Sequence, residues 1–208
     1  RYKNYPQDVQ GKRLGIIGFG RIGQILASYF HPMSQTKLLA YDPILPDEVK
    51  SNYSTVVDFV SLEELLKNAD VVSIHVPLNK YTRNMISWEQ LNMMKSGAYL
   101  VNVSRGGVVN EQDLIRALKQ KVIRGAGLDV FAQEPIEEDS PLLEMENVIL
   151  TPHTAALTDE CVLRMATEGA KRVIDLMNGN EPEKIANPEV LKLEKWQQLK
   201  KRSAMEGK

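Results

Sequence analysis

The chain alternates short apolar runs of strand length with segments whose apolar residues recur at helical spacing. The clearest case is the run Leu14–Ile17, which is followed by a helical pattern at Ile22, Ile25, Leu26 and Phe30. Further apolar runs predict strands at 37–41, 71–74, 99–102, 125–128 and 148–150, which gives six strands in all. Helices are predicted between most of them, and three of these helices begin at residues that favour N-caps, namely Ser61, Ser87 and Asn110.

Three glycines occupy the junction between the first strand and the first helix, in the pattern Gly18-x-Gly20-x-x-Gly23. Gly18 permits a tight turn, Gly20 leaves space where a phosphate must approach, and Gly23 lets helix and strand pack closely. The N–H groups at the start of the helix lack partners within the helix and favour an anion. The junction therefore predicts a site for a dinucleotide pyrophosphate.

A carboxylate, Asp42, ends the second predicted strand nineteen residues after Gly23. The βαβ unit places an acid there against the adenosine ribose hydroxyls. An acid repels a 2′-phosphate, and residues 41–46 contain no Arg or Lys, so NAD is favoured over NADP. The alternative interpretation is that Asp42 caps a turn before Pro43.

Strands that alternate with helices predict an α/β fold in which helices cover both faces of a parallel sheet. With a glycine-rich first turn, we expect a doubly wound, Rossmann-like sheet with strand order 3-2-1-4-5-6 and ligands at the carboxyl ends of the strands. A final helix is predicted from Thr158 to about Asn178, closed by Gly179. We expect a connector at 1–10, a nucleotide-binding domain at 11–157, a C-terminal helix extension at 158–190 and a polar tail at 191–208, amphipathic or disordered from Trp196 onward.

The composition fits a globular domain and excludes several classes of function. At 208 residues with 43% hydrophobic residues the chain can bury a full core, and its net charge of −1 with interspersed acids and bases predicts no nucleic-acid partner. No apolar stretch approaches the roughly 20 residues of a membrane span, and no signal-peptide pattern opens the sequence. The single cysteine, Cys161, excludes an internal disulfide and a cysteine-built metal site, so we expect a cytoplasmic protein without a metal or a membrane contact.

Ionisable side chains follow three of the predicted strands. Arg105 lies in the segment 102–107, Glu134 in 127–135 and His153 in 151–156. Because the carboxyl ends of parallel strands meet at one edge of the sheet, we expect these side chains to share one crevice. An imidazole there can act as general acid and base, a carboxylate can orient it, and a guanidinium can bind a substrate carboxylate through two hydrogen bonds. This set suits hydride transfer to a 2-oxo acid.

Each of these residues has an alternative, structural interpretation, and three other residues are given one. His75, at a strand end, is interpreted as a buried, hydrogen-bonded core histidine. His31, just before Pro32, is interpreted as a cap at a helix C-terminus, and Cys161 as a packing residue of the last helix. None of the three is included in the predicted site.

Several short motifs occur together in one order: Gly-Phe-Gly-Arg-Ile-Gly23, His75-Val-Pro-Leu78, Asn102-Val-Ser-Arg-Gly106, Gly127-Leu-Asp-Val130, Glu134-Pro135 and Thr151-Pro-His153. Over residues 11–191 the chain thereby resembles the D-isomer-specific 2-hydroxyacid dehydrogenases, especially phosphoglycerate dehydrogenase-like and glyoxylate/hydroxypyruvate reductase-like members. The resemblance implies catalytic roles for Arg105, Glu134 and His153. It also implies that NAD is contacted by Gly18, Gly20, Arg21, Ile22, Gly23, Asp42, Pro43, Val76, Pro77, Thr82, Val103, Ser104, Arg105, Asp129, His153, Ala155 and Ala156.

The resemblance further implies a mechanism. His153 would donate a proton to the substrate carbonyl while nicotinamide delivers hydride, Arg105 would orient the substrate, and Glu134 would keep His153 protonated over a broader pH range. Relatives similar to formate dehydrogenase carry Gln in the role of Glu134 and transfer no proton. The neighbouring Gln133 therefore leaves a shift of one residue open, against which the Glu134-Pro135 pair argues.

Members of this family are usually longer at the N-terminus by most of a second, substrate-binding domain. We therefore expect mainly the NAD-binding domain here, with most of the second domain absent and with weak or no turnover by the chain alone. The expected partners are a small 2-oxo or 2-hydroxy acid and a second copy of the chain. The homodimer would form through the NAD-binding domain. Its contacts would come from the segment after the fourth predicted helix, which begins at Asn110, and from the loop that carries Glu134.

Two questions stay open at the level of sequence. The substrate is one, since phosphoglycerate, glyoxylate, hydroxypyruvate and branched 2-oxo acids all fit the implied chemistry. The second is whether the protein is an enzyme at all. The alternative is an NAD(H)-sensing binding module of the corepressor type, with little or no turnover, whose task is to recruit partners.

Overall fold

The computed structural model describes residues 8–181 and 185–198. Within these ranges the strands are β1 (Leu14–Ile17), β2 (Leu38–Tyr41), β3 (Val57–Phe59), β4 (Val71–Ile74), β5 (Tyr99–Asn102), β6 (Gly125–Leu128) and β7 (Val148–Leu150). The helices are α1 (Arg21–Ser34), α2 (Asp47–Tyr53), α3 (Leu62–Asn68), α4 (Trp88–Met93), α5 (Glu111–Lys119) and α6 (Asp159–Met177). The chain divides into two compact units, Arg1–Ala155 and Ala156–Lys208.

The first unit is built on a parallel sheet of seven strands in the order β3-β2-β1-β4-β5-β6-β7. The doubly wound α/β fold is confirmed, and the order of the strands reverses between β1 and β4. The prediction of six strands was wrong because β3 was missed. Its three residues, Val-Asp-Phe, are too few to show a period, and α2 before it buries no residue and so shows no apolar face.

Strand β1 is buried on both faces of the sheet. Its neighbouring residues Ile16 and Ile17 are both 0% exposed and belong to two different hydrophobic clusters. One cluster includes Ala27 of α1, and the other includes residues of α3, α4 and α5 such as Leu65 and Leu114. Burial on both faces explains why β1 is a continuous apolar run rather than an alternating one.

The predicted helix starts are confirmed by their caps. The side chains of Ser61 and Asn110 accept the N–H groups of Glu64 and Asp113, each at 3.1 Å, at the starts of α3 and α5. Helix α1 extends further than its apolar pattern, through Pro32 to Ser34. His31 therefore lies inside the last turn of α1, and the C-cap residue is Gln35. The His31 ring still caps the end of the helix, because its Nδ1 lies 2.9 Å from the carbonyl oxygen of Thr36.

The second unit contains the predicted final helix. Helix α6 starts after Thr158, whose hydroxyl accepts the Cys161 N–H at 3.1 Å, and Gly179 follows it with φ +73°. None of the residues of α6 is buried, and Cys161 is half-buried. In the predicted polar tail, Trp196 is 8% exposed, and residues 199–208 lie outside the described residues. Within the described part of the chain, no helix combines the length and apolarity needed to cross a membrane.

Candidate active site

The three glycines of the turn between β1 and α1 have different surroundings. Gly18 has φ +89°, and a Cβ there would lie 2.7 Å from the carbonyl oxygen of His75 at the end of β4. A Cβ at Gly23 would lie 2.5 Å from the carbonyl oxygen of Gly18. A Cβ at Gly20, by contrast, would meet no protein atom within 4 Å. The fold therefore requires Gly18 and Gly23, whereas Gly20 leaves open space beside the first turn of α1.

That open space fits a diphosphate. The first-turn N–H groups of α1, including those of Arg21 and Ile22, have no carbonyl partner within the helix. Helix α1 is fourteen residues long, so its N-terminus carries the partial positive charge of a full helix dipole. A bound diphosphate would take the place that a side chain at Gly20 would fill.

The middle residue of the turn is anchored by elements that the sequence did not predict. The Phe19 ring is fully buried and packs edge-on against Tyr53 of α2, at 5.0 Å between ring centres, and against Phe59 of β3, at 5.2 Å. The Phe19 N–H donates to the Asp42 carboxylate at 2.9 Å. The short elements α2 and β3 thus fix the position of the glycine turn.

Asp42 has the geometry of both interpretations given above. Its Oδ1 accepts the Ile44 N–H at 3.1 Å and so caps the turn at Pro43, while its Oδ2 reaches the glycine turn. A carboxylate has about four lone-pair positions, so these two bonds leave acceptor capacity for ribose hydroxyls.

A cleft of about 430 Å³ lies at the carboxyl ends of β4 and β5. Six of the predicted NAD contacts line it, namely Ile22, Val76, Pro77, Val103, Ser104 and Arg105. His75 and Leu78 line it as well. His75 is half-buried rather than fully buried, its Nε2 lies 2.8 Å from the Ser73 hydroxyl, and burial lowers its pKa. The interpretation of His75 as a core residue was therefore incomplete, since the residue also borders the cleft.

Two of the three predicted catalytic residues, Glu134 and His153, are in contact, and Arg105 acts on Glu134 through its charge. Nδ1 of His153 lies 2.6 Å from Oε2 of Glu134, and both side chains are partly open to solvent, at 48% and 36%. The residue bonded to the imidazole is Glu134 and not Gln133, which removes the ambiguity of register. The pKa of Glu134 is lowered, chiefly by the hydrogen bond with His153 and further by the Phe131 N–H and the charges of His153 and Arg105.

A buried carboxylate holds the segment that carries His153. Asp129, only 3% exposed, accepts the Thr151 hydroxyl at 2.5 Å and the N–H groups of Thr154 at 2.8 Å and Ala155 at 3.0 Å. Burial raises the pKa of Asp129, but these hydrogen bonds together hold it below its ordinary value. His153 itself has φ +56°, a left-handed conformation that is uncommon for a residue other than glycine. Asp129 therefore fixes an unusual backbone at the predicted proton donor.

Three further predicted NAD contacts, at Pro43, Thr82 and Ala156, do not line the cleft. Pro43 is exposed beside Asp42. The Thr82 hydroxyl donates to the Pro77 carbonyl at 2.6 Å and accepts the Asn79 N–H at 2.9 Å, so it closes the loop after β4. Ala156 belongs to the second unit.

One polar residue near the site was not found from the sequence. Glu111, the first residue of α5, accepts the N–H of Ala132 at 2.8 Å, in the loop that carries Glu134. Nothing local marks this contact, because the partner lies twenty-one residues further along the chain.

The sequence is similar to those of known proteins. Residues 1–155 match the family model for the NAD binding domain of the D-isomer specific 2-hydroxyacid dehydrogenases. The glyoxylate reductase of Korarchaeum cryptofilum is 46% identical over 186 residues, which are 89% of this chain and 55% of that protein. The D-3-phosphoglycerate dehydrogenase of Methanocaldococcus jannaschii is 40% identical over 194 residues, which are 93% of this chain and 36% of that protein.

The fold is also shared with a solved structure. The crystal structure of D-lactate dehydrogenase with NAD+ from Lactobacillus jensenii superposes with a TM-score of 0.79 at 34% identity, over 88% of this chain and 58% of that one. The chain spans about half the length of most of the curated relatives it matches. It belongs to the D-isomer-specific 2-hydroxyacid dehydrogenase family, and residues 1–155 match the NAD-binding domain of that family, with NAD as cofactor.

Proposed function

We propose that this chain provides the cofactor-binding and proton-transfer half of an NAD-dependent oxidoreductase, which interconverts a D-2-hydroxy acid and the corresponding 2-oxo acid. The observation that carries the proposal is the His153–Glu134 pair, 2.6 Å apart, with the Arg105 guanidinium acting on the same carboxylate. Pure cofactor sensing has no use for an imidazole held by a carboxylate. An acid–base reaction requires one.

Each of the three residues has a distinct part in the reaction. NAD supplies the hydride acceptor, and its reduced form the hydride donor. The Glu134 bond occupies Nδ1 of His153, so Nε2 is the ring nitrogen that gives a proton to the substrate oxygen or takes one from it. Arg105, exposed at the end of β5, binds the substrate carboxylate through its planar pair of N–H donors.

The cofactor would lie across the carboxyl ends of β1, β2, β4 and β5. The diphosphate would rest on the glycine turn at Gly20, and Asp42 would accept the adenosine ribose hydroxyls. Nicotinamide would enter the cleft lined by Val76, Pro77 and Val103. Because Asp42 is an acidic residue and residues 41–46 contain no Arg or Lys, it would disfavour the 2′-phosphate of NADP.

Activity tests this proposal on the full-length protein. NADH oxidation is measured against glyoxylate, hydroxypyruvate, the keto form of phosphoglycerate and branched 2-oxo acids, with His153→Ala as the variant and His31→Ala as the matched control. We expect at least one acid to be reduced, and His153→Ala to lower kcat/KM by about a hundredfold or more, chiefly through kcat. Equal rates in the wild type and His153→Ala would overturn the proposed role of His153.

Binding without turnover would point to a different function. If calorimetry shows that NADH binds, but the full-length protein reduces none of these acids, the NAD(H)-sensing binding module becomes the better account. A pull-down of partner proteins that responds to NADH would then be the decisive measurement. Absence of any heat with NADH and NAD would contradict both functions.

We also propose that the protein forms a homodimer through the NAD-binding domain, with the segment after α5 and the loop that carries Glu134 at the contact. Ile149 of β7, the edge strand that follows the loop of Glu134, is 74% exposed and offers apolar surface for such a contact. Sedimentation velocity on the full-length protein tests this proposal, and a monomer at all concentrations would contradict it.

A further inference from the structure

The loop that follows β6 carries Glu134 and is held from outside as well as from within. Within the loop, the Phe131 N–H donates to Oε1 of Glu134 at 3.1 Å. The next N–H along the chain, that of Ala132, donates to Oε2 of Glu111 at 2.8 Å. Two successive amides thus bind two different carboxylates. One of these belongs to the predicted catalytic residue, and the other comes from helix α5.

The segment that leads to Glu111 touches the same loop at a second point. A Cβ at Gly106 would lie 1.8 Å from the carbonyl oxygen of Phe131, so the backbone of Gly106 packs directly on the loop. Gly106 immediately follows Arg105, and a short 3₁₀ turn over Gly106–Val108 connects it toward α5. The segment 105–111 therefore carries Arg105 at one end and Glu111 at the other, and both Gly106 and Glu111 contact the loop of Glu134.

We propose that Glu111 is a positioning residue, which holds the 131–134 loop through the Ala132 N–H and so keeps Glu134 within reach of His153 and Arg105. This inference rests on the proposed function for its purpose, but its contacts are those of the protein alone. Without the Glu111 bond, the contact of Gly106 with the loop remains, but it is van der Waals packing with no directional bond. Glu134 would then sample positions away from the imidazole.

A simpler role for Glu111 makes a different prediction. An acid in the first turn of a helix stabilises that helix through its dipole, by about 0.3–1 kcal/mol when exposed. That role requires no contact with Ala132, and any helix with a first-turn acid shares it. Glu89 in the first turn of α4 is exposed and serves as the matched control.

Two measurements on the 208-residue chain separate these roles. The first is hydrogen exchange at the Ala132 amide, and the second is the titration of the Glu134 carboxyl carbon by NMR. We expect Glu111→Ala to speed exchange at Ala132 by about tenfold or more and to raise the pKa of Glu134 toward its ordinary value of 4.5. Glu111→Gln keeps an acceptor oxygen and is expected to preserve slow exchange at Ala132 without raising the pKa of Glu134, while Glu89→Ala changes neither property.

The direction in which the pKa of Glu134 changes distinguishes loosening of the loop from simple loss of charge. Removal of a neighbouring negative charge by itself favours the ionised form of Glu134 and lowers its pKa. A loosened loop weakens the hydrogen bonds of Glu134 with His153 and Phe131 and the effect of the Arg105 charge, and so raises the pKa of Glu134. A rise in Glu111→Ala that is absent in Glu111→Gln supports the positioning role. No change, a fall, or the same rise in both variants would overturn it.

The outcome is distinguishable from failure of the proposed function. Both measurements are made without cofactor or substrate, and far-UV circular dichroism shows whether each variant folds. If the titration follows the expectation but NADH does not bind the wild type, the proposed function fails and the role of Glu111 in holding the loop stands. If NADH binds and the wild-type full-length protein is active, but the pKa of Glu134 is the same in Glu111→Ala, only the inference about Glu111 fails.

Discussion

Nδ1 of His153 lies 2.6 Å from Oε2 of Glu134, although the two residues are nineteen positions apart on different loops. The pair is held from both sides, because Asp129 anchors the segment of His153 and Glu111 contacts the loop of Glu134. A single substitution, at Asp129 or at Glu111, therefore removes the anchor on one side of the pair.

The glycine turn separates cofactor binding from folding. Gly20→Ala places a methyl group where no protein atom lies within 4 Å, so we expect a change of less than about 1 kcal/mol in the free energy of unfolding but a loss of about tenfold or more in NADH affinity. Gly23→Ala drives a Cβ to 2.5 Å from a backbone oxygen and is expected to destabilise the chain by about 2 kcal/mol. Urea denaturation and calorimetry check both. Equal NADH affinity in Gly20→Ala and the wild type would contradict the placement of the diphosphate.

Replacement of Glu134 by Gln is expected to lower turnover by the full-length enzyme more than its cofactor affinity. A neutral amide keeps the size of the carboxylate but not its charge beside the His153 imidazole, so we expect kcat to fall by about tenfold or more, while NADH affinity stays within about twofold. Steady-state rates and calorimetry with NADH measure the two quantities. A kcat that coincides with that of the wild type would remove Glu134 from the reaction.

Asp129 is predicted to stabilise the fold through its charge. Asp129→Asn leaves one carbonyl oxygen and introduces an NH₂ group among the donors of Thr151, Thr154 and Ala155, and we expect a loss of about 2–3 kcal/mol. Asp58→Asn removes an exposed ion pair with Lys37 and should cost less than about 1 kcal/mol. Urea denaturation at neutral pH compares the two. Similar losses would mean that the buried hydrogen bonds are not what holds the segment.

The same carboxylate gives the fold an acid-sensitive component. The folded-state pKa of Asp129 lies below its ordinary value of 3.8, so the unfolded chain binds more protons at low pH. The contribution of Asp129 to the free energy of unfolding is fully present when the pH lies above the ordinary pKa of 3.8. It is lost as the pH falls below that value and through the lower pKa of the folded state. We expect the stability of Asp129→Asn to fall less steeply than that of the wild type below about pH 4. Parallel slopes would contradict the assignment.

Asp42 is expected to select the cofactor. Asp42→Asn keeps an acceptor for the Phe19 N–H but removes the charge that repels a 2′-phosphate. We expect NADPH affinity to rise and NADH affinity to fall, which changes their ratio by about tenfold or more. Calorimetry with both cofactors measures the ratio, and thermal unfolding shows whether the turn is still held. An unchanged ratio would leave Asp42 with its structural bonds alone.

Much of this site could be predicted from the sequence because its signals are local. The Gly18, Gly20 and Gly23 pattern reports backbone requirements within a single strand–turn–helix, and the structure gives each glycine the surroundings that the pattern implies. Strand-end positions likewise placed Arg105, Glu134 and His153 at one edge of the sheet before any contact was known. Parallel topology alone brings such positions together.

The features that were missed depend on contacts between distant residues. Strand β3 is short, and Phe59 is recognisable as structural only when its ring is seen against Phe19. Glu111 has the sequence context of an ordinary first-turn acid, and its partner amide carries no side-chain signal. His75 was interpreted as a core residue because a histidine at a strand end carries no sequence signal that it borders a cleft.

The left-handed backbone of His153 sets the stability of the fold against the acid–base role of the imidazole. A histidine at φ +56° has a less favourable backbone conformation than asparagine or glycine would have there, which costs about 1 kcal/mol of stability. Substitution by asparagine would relax the main chain while it abolishes the acid–base group. A related protein that is no longer selected for enzymatic activity would therefore become more stable on losing this imidazole. Replacement of the histidine at this position would mark a relative that has lost catalysis.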